Sequence, residues 1–83
     1  MAEILTEVFV IKATSKVTSN IHYVKIDDGY VELVDHNTDG TLYKYDEDAE
    51  QAIKEYCDGE ETHDYIVDSV MLTEEEMLLL ELN

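Results

Sequence analysis

The sequence predicts an α+β fold: an antiparallel sheet of about four to five strands, one amphipathic helix packed on one face, and a short C-terminal helix. Three observations carry that prediction. Residues 3–12, EILTEVFVIK, are rich in the β-branched side chains that favour strands. Two alternating runs, Asn20 to Ile26 and Tyr30 to Val34, flank Asp28-Gly29, a dipeptide suited to the positive φ angles of a type I′ turn. Residues 46–58, DEDAEQAIKEYCD, then change to a helical period. No proline, repeat or linker interrupts the 83 residues, so residues 1–83 are read as a single domain.

Each element has its own local reason. Val8-Phe9-Val10-Ile11 is apolar on both faces, which suits a strand buried on both sides. Residues 13–19, ATSKVTS, read as a polar connection or frayed strand. A two-residue loop at Asp28-Gly29 opposes Ile26 to Val31, Lys25 to Glu32 and Val24 to Leu33, and the charge match at 25 and 32 supports that register. The same construction at Asp39-Gly40 opposes Asp35 to Lys44 and Val34 to Tyr45, predicting a second hairpin and a three-stranded meander extended by the first strand. In the helix, Ala49, Ala52, Ile53, Tyr56 and Cys57 form the apolar stripe. Asp46, Glu47 and Asp48 suit the dipole of its first turn, and Gly59 ends it. Residues 64–72, DYIVDSVML, read as a strand; Thr73 with Glu76 makes a capping box before a final helix, with a strand as the alternative over 73–83.

Charge excludes more functions than any motif does. The formal charge is −16, from 21 acidic residues against five lysines. From Glu55 to the end there are acids and no base. Such a chain repels nucleic acid and anionic lipid and attracts basic partners. Met1-Ala2-Glu3 lacks a basic leader and no apolar run would span a bilayer, so a cytoplasmic protein is expected. With one cysteine, no intramolecular disulfide is possible. Cys57 on the apolar stripe reads as an inert core residue. His22, His36 and His63 are scattered without zinc-ligand spacing, no glycine-rich phosphate loop exists, and arginine is absent. The chain is read as no enzyme, with no cofactor.

One segment imitates a metal site. Asp35-His36-Asn37-Thr38-Asp39-Gly40 fits the start of an EF-hand loop, with Asp35, Asn37 and Asp39 as side-chain ligands, Thr41 as the carbonyl ligand and Asp46 at the twelfth position. The twelfth ligand is ordinarily a bidentate Glu, and the preceding segment alternates like a strand. An Asp-Gly turn leading into a helix cap explains the same residues. The tyrosines form a second candidate: the two-hairpin reading places Tyr23, Tyr30, Tyr43 and Tyr45 together on the sheet face away from the helix. That face is either covered by the C-terminal segment or offered as a contact surface.

A short, arginine-free, very acidic α+β chain with the ending Leu80-Glu81-Leu82-Asn83 resembles phage-encoded DNA-mimic inhibitors, the anti-CRISPR proteins in particular. Asp68-Ser69-Val70-Met71-Leu72 followed by Glu74-Glu75-Glu76 is also similar to the Glu-Ser-Ile strand of uracil-DNA glycosylase inhibitors, with Asp for Glu and Val for Ile. Both resemblances imply carboxylates standing in for phosphates in a basic groove. Lined up at duplex spacing, 16 net charges would imitate roughly 27 Å of DNA. The function expected is a non-enzymatic inhibitor that occupies the nucleic-acid-binding groove of a Cas effector. The alternatives are a uracil-DNA glycosylase inhibitor and a small calcium-binding module at 35–46. An acidic partner of a basic structural protein, or a halophile's solvated surface, stands behind them. The expected partner-binding residues are Asp46, Glu47, Asp48, Glu50, Glu55, Glu60, Glu61, Asp64, Asp68, Glu74, Glu75 and Glu76, with Tyr43 and Tyr45.

Overall fold

The computed structural model describes residues 5–80. Four strands, β1 (Leu5–Ser15), β2 (Ile21–Asp27), β3 (Tyr30–Val34) and β4 (His63–Thr73), form one antiparallel sheet in the order β3-β2-β1-β4. β1 is central, as its apolar residues on both faces require: Val8, Val10 and Ile11 are all buried. It pairs with β4 along its whole length, from Leu5 opposite Thr73 to Ser15 opposite His63. Eleven residues at about 3.4 Å each reach roughly 37 Å, which sets the long axis of a molecule measuring 45 × 25 × 19 Å.

The first hairpin has the register its charges and turn dipeptide imply. Val24 faces Leu33, Lys25 faces Glu32 and Ile26 faces Val31. Asp28 and Gly29 take φ of 49° and 81°, the two positive values of a type I′ turn. Residues 13–19 divide: β1 runs on to Ser15, whose hydroxyl then accepts from the Val17 and Thr18 amides, each at 3.2 Å.

The second hairpin does not form. Asn37–Asp39 is a 3₁₀ turn, and Gly40 has φ −74° and ψ 171°, so neither residue of Asp39-Gly40 adopts the conformation that hairpin needs. The reason lies in the splay of the sheet. β1 and β2 pair only from Lys12–Tyr23 to Thr14–Ile21 and then diverge. Residues 40–43 enter the gap as a wedge that satisfies both exposed edges. On one side the Thr41 amide donates to Val24 O (3.1 Å), and the Ile26 amide donates to the Thr41 hydroxyl (2.7 Å). On the other side Phe9 and Tyr43 exchange two backbone hydrogen bonds, both 2.7 Å.

Helix α1 (Asp46–Ala52) continues without a break into a π-helical turn, Ile53–Cys57. Ala49, Ala52 and Cys57 meet Ile11, Ala13 and Val24 to make one core layer. The wide π turn brings Cys57 round to the core five residues after Ala52 and leaves Tyr56 at 45% exposure, outside the stripe that a regular helix would have buried. On the other sheet face, Val8, Val10, Val70 and Leu72 form a second layer under Met77 of α2 (Glu74–Leu79). The expected capping box is present: the Glu76 amide donates to the Thr73 hydroxyl (3.2 Å), and the Thr73 amide donates to the Glu76 carboxylate (3.1 Å). Residues 81–83, including Glu81 and Leu82 of the acidic-leucine ending, lie outside the described residues.

Candidate functional site

With Ala49 and Ala52 turned to the sheet, helical spacing turns Asp46, Glu47, Asp48 and Glu50 outward, and all four are exposed. Glu55 on the π turn and Asp58, Glu60 and Glu61 after it extend this acidic ridge, and Lys54 is the only base between 46 and 61. Glu60 is held in place by Thr62, whose hydroxyl donates to its carboxylate at 2.6 Å and whose amide donates at 3.1 Å. The hydroxyl first, then the amide, hold the Glu60 carboxyl below its ordinary pKa, so it stays ionised to lower pH than a free glutamate would.

The predicted site residues divide between two sides of the molecule. Asp64 and Asp68 have the strand parity of Val70 and Leu72, so they project on the face away from α1. Glu74, Glu75 and Glu76 form the first turn of α2 on that same side. Lys12 and Lys25 project there too, and Lys16 lies 3.8 Å from Asp64. The ridge on α1 is therefore nearly free of compensating charge, while the acids on the other side are interspersed with lysines.

The expected tyrosine face is not formed, because it depended on the second hairpin. Tyr23 and Tyr30 do project on the face away from α1. Tyr43, carried by the wedge, packs instead with the layer beneath α1, and Tyr45 precedes the first helical residue with 66% exposure. That displacement creates a feature that charge counting missed. Asp48, Gln51, Ala52, Glu55 and Tyr56 line one flank of the helix, facing Ile26, Thr41 and Tyr43 across a groove. Its lining combines the apolar Ile26 and Ala52, the phenols of Tyr43 and Tyr56, the Thr41 hydroxyl and the exposed carboxylates of Asp48 and Glu55. The 48-51-52-55-56 spacing repeats at i, i+3, i+4, i+7 and i+8, a second stripe beside the core one, and was available in the sequence.

Residues 35–46 follow a strand, fold through the 3₁₀ turn and the wedge, and end in the first turn of α1. Asp35 lies 3.3 Å from His22 Nε2. Among the described residues no group of three or more His, Cys, Asp or Glu side chains converges to hold a metal ion. Calcium is expected to bind this segment no tighter than millimolar; micromolar affinity by calorimetry, lost in Asp39→Ala, would overturn that reading.

Burial raises the pKa of three groups around α1. Desolvation lifts Cys57 above its ordinary 9.0 and Tyr43 and Tyr65 above 10.0, with nearby negative groups adding to each. The sign follows from linkage: the unfolded chain loses these protons first, so their contribution is full below pH 9 and declines as pH rises above it. Stability is expected to fall through that alkaline range, and Tyr43→Phe should flatten the fall. An equal slope in the variant, measured by urea unfolding at several pH values, would rule Tyr43 out as a source.

Comparison with protein-family models, curated proteins and solved structures finds no match. Among the described residues no helix is long and apolar enough to cross a membrane.

Proposed function

We propose that the protein is a non-enzymatic inhibitor that competes with nucleic acid for the basic groove of a DNA-processing enzyme, most specifically as an anti-CRISPR protein acting on a Cas effector. The observation that supports this reading is the ridge of α1, where acids follow one another with Lys54 as their only internal base. The twelve residues from Asp46 to Cys57 span roughly 18 Å at about 1.5 Å per residue. One DNA strand carries about five phosphates over that length, at roughly 3.4 Å each. The same stretch carries five acids: Asp46, Glu47, Asp48, Glu50 and Glu55. With Lys54 in the same stretch the net charge is −4, so its charge density approaches that of a single strand without equalling it.

A uracil-DNA glycosylase inhibitor is the second reading, favoured by Asp68 and Ser69 on the edge strand β4 just before the acidic turn of α2. Val70 of that segment is buried beneath α2, so less of the motif is free to reach a partner than the resemblance implies. The test of the proposal is capture of the partner with this protein as bait, followed by titration against labelled DNA or RNA. Mutual displacement supports mimicry; simultaneous binding sinks it. Inhibition of a purified uracil-DNA glycosylase in place of a Cas effector would select the second reading.

A further inference from the structure

We propose that the groove between α1 and the 40–43 wedge is an anchoring pocket for an arginine side chain of the basic partner. This rests on reading the α1 ridge as a protein-binding surface, and it adds to the diffuse field one defined contact. The lining combines features seldom found together on an acidic surface. Ile26 and Ala52 offer an apolar floor for a methylene stem, Tyr43 and Tyr56 offer aromatic rings, and Asp48 and Glu55 stand two helical turns apart at the rim. The same lining acts on Tyr43, whose phenol is held protonated above its ordinary range by desolvation first and by Cys57, Tyr56, Asp48 and Glu55 in turn. A cation entering here trades water for carboxylates and ring faces.

Arginine fits this lining better than lysine. A guanidinium is planar, less strongly hydrated than an ammonium, stacks on aromatic rings and donates to a carboxylate through two parallel N–H groups. Neither Asp48 nor Glu55 has a salt-bridge partner among the described residues, so no internal ion pair must break first. The π turn matters as well: it seats Cys57 in the core and leaves Tyr56 beside the groove, half exposed.

The experiment titrates isotope-labelled protein with N-acetyl-arginine amide and N-acetyl-lysine amide, following backbone amide shifts. Perturbations concentrated at Thr41, Gln51 and Tyr56, with arginine amide binding at least ~3-fold more tightly than lysine amide, are the expected result. Asp48→Asn with Glu55→Gln should weaken arginine binding about 10-fold or more, as loss of charge-assisted hydrogen bonds implies. Glu60→Gln with Glu61→Gln removes the same charge outside the groove and should change it less than ~2-fold. Tyr56→Ala, at a half-exposed position, tests the aromatic wall without touching charge and should erase the preference for arginine. Shifts spread evenly over the acidic surface, or equal loss from both double variants, would overturn the pocket. Displacement of nucleic acid without groove binding defeats this inference alone, whereas a seated arginine without displacement defeats the mimicry reading and leaves the pocket standing.

Discussion

Valine at Gly40 will destabilise the domain more than any other single glycine change, and alanine there will already cost about 1–3 kcal/mol, the range typical of overpacking. A Cβ built on Gly40 lies 2.9 Å from Val10 Cγ2 and 3.1 Å from the Val24 carbonyl oxygen. Neither neighbour yields readily. Val10 is fully buried and β-branched, so its χ1 has little freedom. Val24 O is already committed to the Thr41 amide at 3.1 Å. Relief therefore requires the wedge to back out, which exposes the hydrogen bonds it supplies to β1 and β2. For a chain of this size the whole folding free energy is about 4–12 kcal/mol, so the valine variant sits near the limit of folding. The internal control is Gly29, where φ is +81° and no atom lies within 4 Å of the added Cβ. Asparagine tolerates that left-handed conformation, so Gly29→Asn should be mild while Gly40→Asn is severe. Equal effects in urea unfolding would mean that Gly40 is a turn residue after all and that the wedge is loosely held.

Those two glycines also explain what the sequence could and could not disclose. Asp28-Gly29 and Asp39-Gly40 are the same dipeptide between alternating residues, and local chemistry predicts the same hairpin twice. The first is used for its positive φ. The second is used for the space that a missing side chain leaves between Val10 and Val24, a requirement set by strands distant in sequence. Once that hairpin fails, Tyr43 and Tyr45 leave the face on which they were expected, and the groove beside α1 appears. The elements whose signals are local were legible: β1 by its double-faced apolar run, the first hairpin by its register, α2 by Thr73 and Glu76. The helix was legible in length but not wholly in its final turn, because the helical pattern places both Tyr56 and Cys57 on the core stripe, whereas the π turn buries Cys57 and leaves Tyr56 half exposed. The acidic excess was equally plain in the sequence. Which acids share a surface was not, since it depends on the parity of β4 against β1 and on the face that each helix covers.

Lysine substitution of Asp46, Glu47 and Glu50 together is expected to abolish inhibition, whereas any one of these reversals alone should cost no more than ~1 kcal/mol at an exposed rim. Three reversals of two units each take the formal charge from −16 to −10, so the variant is still strongly acidic. Loss of binding would then reflect the position of the charge and not merely its amount. A matched variant makes the distinction sharp. Asp64, Glu74 and Glu75 changed to lysine give the same formal charge but alter the side that already carries Lys12, Lys16 and Lys25. Steering by the net field falls in both variants, and with it the association rate, by on the order of 10-fold or more at low salt. Only the ridge variant loses the phosphate-like row, so only it should also dissociate quickly and fail to displace DNA. Binding of the native protein should weaken as salt rises towards physiological strength, where the screening length shortens to about 8 Å. Part of it should persist, because an arginine seated in the groove between Asp48 and Glu55 is partly shielded from the screening ions. Identical losses in the two triple variants would leave net charge as the whole explanation and end the case for mimicry of a strand.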